Sequence, residues 1–458
     1  MHQYQTFTLK NHSLKSLPLP NSQNNAYPSL AAHIPELQGV AAEMPSDASI
    51  ARYLVHANDY AVVATYSVHH EGNIFSNVMS YSDGIGMENS TGRLFFYMTL
   101  MDPTGAALKK NSAASVTISQ AQLAGAPTVC GEIDNGVSTC AKLTIMGDIE
   151  EVTDVRQRDY ALKALLSRNP EMAGWPSEHG WVVLEMKPTH ILLQQNHEGT
   201  TRVPVSAYFL AIPAKGLPRR RGYLSPLESA LEKHKLRGES SVQIRGSKLV
   251  ATGAKSAATK AQAARKLVHD ASWGVLATTS AEFERPIGHV ESFTDGGFDH
   301  STGKIWFFLS EKDLALEDVR VNSQVSFTIS QAMVDAYDAS VDNSCHGAIA
   351  EDPTCARITL SGHLAPLISP TTSAVDEANG ELLPRHMVVK MSPTSRDIHV
   401  YELIISEIFF INFYGGAEPM SVADYFAAWP SLNDGPAGSF TTSLSSRFDV
   451  KNDYENDA

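Results

Sequence analysis

"ARYLVHANDYAVVATYS" at residues 51–67 returns as "ARKLVHDASWGVLATTS" at residues 264–280. An Arg, a His and a closing Ala-Thr keep their places in an otherwise diverged string, so the chain contains a duplication. The repeat continues downstream. Tyr81-Ser82-Asp83-Gly84 answers to Phe293-Thr294-Asp295-Gly296, and "TGRLFFYMT" from Thr91 answers to "TGKIWFFLS" from Thr302. "VTISQAQ" from Val116 matches "FTISQAM" from Phe327, and "CGEIDNGVSTCAKLTIMG" from Cys130 matches "CHGAIAEDPTCARITLSG" from Cys345. The offset between copies moves from 213 to 212, 211 and 215, so insertions fall between the apolar runs. Loops tolerate such changes while strands hold their register.

A chain of 458 residues is too long for one ordinary core and suits two domains plus connections. Its hydrophobic fraction of 43% and charged fraction of 19% are those of a globular protein. No run approaches the ~18 apolar residues of a membrane span. A net charge of −14 argues against nucleic acid as a partner, because phosphate binding needs a basic surface. The 17 histidines show no HExxH or paired metal-ligand spacing. Between Lys215 and Lys260, eleven Lys or Arg stand against three Glu, with Pro218-Arg219-Arg220-Arg221 inside and no alternating apolar pattern. That composition reads as a mobile, solvated basic connector with one short helix near Leu227 to Leu236; a processing site at the triple Arg, or a partner-binding strip, is the alternative.

The expected organisation is a flexible segment over 1–45, a first domain over 46–210, a basic linker over 211–258, a second domain over 259–428 and an acidic tail over 429–458. The opening "MHQYQTFTLKNHSLKSLPLP" has no apolar signal-peptide core and no acidic residue before Glu36, a faint likeness to an organelle transit peptide. In the first domain Ser46-Asp47 is placed to cap a helix, and strands are expected over 60–68, 74–82, 93–99, 114–120, 141–150 and 181–195. A helix from Asp154 to Arg168, capped by Thr153, interrupts them. Six antiparallel strands with flanking helices give a mainly β, α+β class built on a small closed or split barrel.

In this order, and twice, "ARYLVHANDYAVVATYS", "SYSDG", "FFYMT", "NPEM" at 169–172, "WPSEHGW" at 175–181 and "FYGG" at 413–416 resemble the CREG family. That family belongs with the flavin-mononucleotide-binding split barrels that include pyridoxamine phosphate oxidases. The resemblance implies two split β-barrels, and a ligand site between paired barrels. Two tethered barrels meet at high effective concentration, so the second copy is expected to be the first copy's partner in an intramolecular pseudo-dimer. The copies differ: the first reads Asn196-His197-Glu198-Gly199 where the family has aromatic-Gly-Gly, and the second lacks the Trp-Pro motif. Two unlike interface sites are therefore expected, of which at most one binds a ligand.

Flavin phosphate binding in the related oxidases uses converging basic and hydroxyl donors. The answering positions are Thr65, Ser80 and Thr99 in the first copy and Thr278, Ser292, Ser310 and Lys312 in the second. Asp102 would repel a phosphate in the first copy, and Glu311 and Asp313 flank Lys312. The same hydroxyls are also ordinary strand residues. CREG proteins share the fold while commonly lacking the binding residues, so the resemblance implies either no cofactor or FMN, and a non-catalytic protein acting through protein or receptor partners. A tetrapyrrole would instead require His179 or His197 as its ligand.

The four cysteines, Cys130 with Cys140 and Cys345 with Cys355, repeat at one spacing and suit local disulfides in an oxidising compartment; free thiols are the alternative. Asn11 and Asn89 open glycosylation sequons. Together these agree with a secreted, lysosomal or vacuolar glycoprotein, the setting of the family. His56 and His269 recur at one helix end, as dipole-stabilised caps or as phosphate contacts. Trp175, His179 and Trp181 lock a loop onto a barrel wall or form an interaction hot spot.

Overall fold

The computed structural model describes residues 45–69, 72–123, 140–195, 199–216, 259–297, 300–336, 344–367, 398–414 and 418–428. The expected linker helix, both tails, Asn11, Cys130 and His197 lie outside the described residues.

The first copy runs α1 (Asp47–Ala57), β1 (Tyr60–Tyr66), β2 (Ile74–Ser82), β3 (Phe95–Thr99), α2 (Pro103–Lys110), β4 (Ala113–Ser119), β5 (Lys142–Glu151), α3 (Val155–Arg168), β6 (Trp181–Gln194), β7 (Thr200–Arg202) and α4 (Val205–Leu210). The second runs α5 (Lys260–Asp270), β8 (Trp273–Thr279), β9 (Pro286–Thr294), β10 (Ile305–Ser310), α6 (Leu314–Val321), β11 (Gln324–Ser330), α7 (Gln331–Asp335), β12 (Arg357–Pro366), β13 (Ile398–Ile411), β14 (Glu418–Met420) and α8 (Val422–Ala427). Strand order is β3-β2-β1-β4-β5-β6-β7 in one sheet and β10-β9-β8-β11-β12-β13-β14 in the other. Pairing of β3 with β6, and of β10 with β13, closes each into a six-stranded antiparallel barrel. Among the described residues, closure leaves the short β7 and β14 as outer strands.

Sequence explains the closure locally. Each barrel turns a corner at a bulge, between Met146 and Gly147 in β5 and between Ser361 and Gly362 in β12. A Cβ at Gly147 would stand 2.0 Å from the Lys187 carbonyl oxygen, and one at Gly362 2.0 Å from that of Ile404, so both copies keep glycine there. Ser46 caps α1 as expected, its hydroxyl accepting from the Ser49 N–H at 3.2 Å. The cap of α3 is Asp154, not Thr153, since its carboxylate accepts from the Gln157 N–H at 2.9 Å. Helices α2 and α6 were not expected; Asp102 begins α2 by accepting from the Thr104 N–H at 2.7 Å.

The duplicated Arg is a buried clamp. Arg52 donates to the carbonyls of Ala211 and Ser90, each at 2.8 Å, and Arg265 donates to those of Ala428 at 2.8 Å and Ser301 at 3.0 Å. Each guanidinium thus ties the first helix of its copy to the last helix and to the loop before the third strand.

Between the barrels lies a third core. Tyr60, Val62, Val78 and Cys140 of the first copy pack with Trp273, Val275, Val290, Met333, Cys345 and Cys355 of the second. Cys345 and Cys355 form a disulfide, and Cys140 is also disulfide-bonded. A buried hydroxyl seam crosses the same interface: the Ser76 hydroxyl lies 3.0 Å from that of Ser326 and 2.7 Å from that of Thr328. The Thr359 hydroxyl donates to the Ser76 carbonyl at 2.7 Å, and its counterpart Thr144 to the Gly288 carbonyl at 2.8 Å. The two barrels are therefore an intramolecular pair related by a local two-fold.

Candidate functional site

The local two-fold creates two equivalent grooves, and residue substitutions between the copies make them unlike. In the groove between β2 and β12–β13, Phe75 meets Phe409 edge-on, with ring centroids 5.4 Å apart. Glu351 reaches in from the disulfide-bounded loop of the second copy, and its carboxylate accepts from the Ser80 N–H at 3.0 Å. Arg357 donates to the Glu351 carbonyl at 2.9 Å and to the Asn77 side-chain oxygen at 3.3 Å. The Asn77 amide donates in turn to Thr104 at 3.2 Å and to the Asp102 carboxylate at 3.3 Å. Burial pushes the Glu351 carboxyl up to about 8, against the opposing pull of the Ser80 N–H and Arg357. Burial also lowers Arg357 from its ordinary value. Among the described residues, Phe75, Phe409 and Glu351 occupy this groove.

In the opposite groove the positions of Phe75 and Phe409 are held by Ile287 and Leu192. The smaller side chains leave a cavity of about 210 Å³ between β5–β7 of the first barrel and β9, β10 and α6 of the second. Its charged and polar lining includes Lys142, Glu291, His289, Ser310, Lys312 and Asp313. Lys142 spans the interface, donating to the Val290 carbonyl at 2.9 Å. Asp313 accepts from the Ser310 N–H at 2.6 Å, and the Ser310 hydroxyl accepts from the Lys312 N–H at 3.2 Å. His289 Nε2 lies 3.0 Å from the buried Asp318 carboxylate and 3.1 Å from the Thr278 hydroxyl, which itself donates to Asp318 at 2.6 Å. Asp318 also accepts from the Ala281 N–H at 2.7 Å. Asn77 and Ala107 hold the positions of His289 and Asp318 in the first copy, so this pair exists on one side only.

Of the positions matched to flavin binding, Ser310 and Lys312 share the cavity, and Thr278 stands behind its wall. Ser292 pairs in register with Trp273 and does not line it. Ser80 belongs to the filled groove, Thr65 sits in β1 opposite Phe75, and Thr99 donates to the His179 carbonyl at 2.5 Å. These hydroxyls do not converge on one point. The sequence reading missed His289, Asp318 and Lys142; the copy-to-copy change from Asn77 to His289 and from Ala107 to Asp318 was the available signal.

The remaining candidates fall elsewhere. Half-buried Trp175 and Trp181 lie 4.4 Å apart by ring centroid, Tyr97 stacks on both, and His179 borders Trp181 at 6.1 Å. Leu100 and Met101, at the adjoining end of β3, are exposed. His56 does not cap α1 with its ring: Nδ1 lies 2.9 Å from Asp83 and Nε2 2.8 Å from the Met87 carbonyl, while Arg168 donates to the His56 carbonyl at 2.9 Å. His269 repeats the pairing with Asp295 at 3.0 Å. Asn89 is exposed on the loop after β2. Among the described residues, no group of three or more His, Cys, Asp or Glu is placed to hold a metal ion, and no helix is long and apolar enough to cross a membrane.

Two closed six-stranded barrels, paired so that their grooves face across the interface, define a tandem protein of the split-barrel class. The CREG beta-barrel family model matches twice, over residues 43–210 and 255–427, and the chain belongs to that family. Protein CREG2 of Mus musculus is 36% identical over 170 residues, covering 37% of this chain and 58% of that relative. Protein CREG1 of Gallus gallus is 32% identical over 169 residues, covering 36% of this chain and 86% of the relative. The chain thus spans somewhat over half the length of the first relative. Among solved structures, a heme binding protein from Mycobacterium smegmatis aligns with TM-score 0.32 and 16% identity, over 56% of this chain and 92% of that one. A putative pyridoxamine 5'-phosphate oxidase from Listeria innocua aligns with TM-score 0.23 and 15% identity, over 33% and 98%.

Proposed function

We propose that this CREG-family protein is a non-catalytic glycoprotein of the secretory, lysosomal or vacuolar pathway that acts through protein or receptor binding. The observation that carries the reading is the state of the two grooves. One is filled by Phe75, Phe409 and Glu351. The other encloses about 210 Å³, below the roughly 300–1,000 Å³ usual for cofactor pockets. Its donors do not fit a flavin phosphate. Asp313 follows Lys312 directly, Glu291 lines the same cavity, and the Ser310 amide is already bonded to Asp313 within its own turn. Disulfide bonding supports an oxidising compartment, and exposed Asn89 supports glycosylation. The half-buried Tyr97, Trp175 and Trp181 cluster, beside exposed Leu100 and Met101, is the surface best suited to a protein partner.

The second reading is an FMN-dependent oxidoreductase with one surviving site, favoured by the placement of Ser310 and Lys312 in the open groove. Purified protein incubated with FMN and desalted separates the two. Colourless protein is the expected result; a flavin spectrum retained at one per chain, and lost in Lys312→Ala, would overturn the non-catalytic reading.

A further inference from the structure

The open groove carries chemistry that the filled one lacks. His289 lines the cavity with one ring nitrogen committed: Nε2 faces the buried Asp318 carboxylate, which also accepts from Thr278 and Ala281. In the neutral ring a carboxylate there holds the proton on Nε2 and leaves Nδ1 as an acceptor. Nδ1 has no hydrogen-bond partner among the described residues. Two cations, Lys142 and Lys312, stand against three carboxylates, Glu291, Asp313 and the Asp318 that faces the ring. An uncharged ligand therefore matches the lining better than an anion, whose charge would have no partner left over.

We propose that the inter-barrel cavity binds a small uncharged ligand of the imide or lactam class, with an N–H beside a carbonyl. The ligand N–H donates to His289 Nδ1, and its carbonyl accepts from Lys312 at the cavity rim. Asp318 is a positioning residue that sets the tautomer. Ile287 and Leu192 supply the apolar walls, and their size relative to Phe75 and Phe409 makes the space. The proposal is independent of the non-catalytic reading, since binding without chemistry and binding of a reactant are both compatible with it.

The test uses the full-length protein and two probes of similar shape, succinimide and N-methylsuccinimide, of which only the first donates a hydrogen bond. Imidazole nitrogen chemical shifts report the His289 tautomer directly, and their perturbation on titration reports binding. Saturable binding of succinimide is expected, with the methylated probe at least about tenfold weaker, the ratio that corresponds to ~1.4 kcal/mol. Leu192→Phe, which copies the filled groove, is expected to abolish the perturbation without unfolding the protein. Equal binding of the two probes, no saturable shift at tens of millimolar probe, or a resting tautomer with the proton on Nδ1 would each overturn the proposal.

Discussion

Replacing Glu351 by Gln should remove a pH dependence of stability that this one carboxyl creates. In the folded chain burial holds the Glu351 carboxyl at about 8, from an ordinary value of 4.5. Between those limits the folded state keeps a proton that the unfolded state releases, so stability is fully present below pH 4.5 and falls as the pH rises toward 8. The slope of a single group is at most about 1.4 kcal/mol per pH unit, which gives a ceiling on the order of 5 kcal/mol across the window. Glutamine preserves the acceptor for the Ser80 N–H and has no proton to lose. Denaturant unfolding of both proteins at intervals across the window isolates the effect, because contributions of other groups cancel in the difference. The stability of Glu351→Gln relative to the parent should rise with pH by several kcal/mol and level off above about 8. A difference that stays flat, or that falls with pH, would refute the burial of this carboxyl at the interface.

Arg265→Ala should destabilise the second barrel by roughly 3 kcal/mol or more in the same assay, because several carbonyls lose a buried charged donor. Gly362→Ala should cost about 1–3 kcal/mol, since its methyl would be driven against the Ile404 carbonyl; an unchanged unfolding midpoint would contradict the bulge geometry. Cys345→Ser should lower stability by about 2–3 kcal/mol through loss of a short loop closure, measured by thermal unfolding under non-reducing conditions.

Strands were legible because apolar alternation and Gly-marked turns repeat in both copies, and a duplicated pattern checks itself. The six expected strands of the first copy differ from the observed ones by at most two residues at an end. Helix α2 is announced by Asp102-Pro103, a strong N-terminal signal, but the same Asp102 also reads as a charge opposed to a phosphate, which hides the helix start. For His56 and His269 local sequence offers a cap or a phosphate contact, because both need only the helix end itself. Their actual partners, Asp83 and Asp295, sit 27 and 26 residues away, outside any local pattern. The site was harder. Lys142 reaches the cavity from the other barrel, and no local pattern announces a partner 148 residues away. Thr278 was selected for its hydroxyl, but it serves Asp318 behind the cavity wall.

The seam at Ser76 has an evolutionary side. When two identical subunits pair, every substitution at the axis arrives twice and must suit both halves at once. Here Ser76 faces hydroxyls across the interface while its counterpart is Gly288, where a Cβ would meet the Thr117 hydroxyl at 2.3 Å. One covalent chain has thus released two formerly equal halves from sharing a single genotype. One flank of the axis is free to specialise in cohesion, and the other to drift toward a new ligand without loosening the pair.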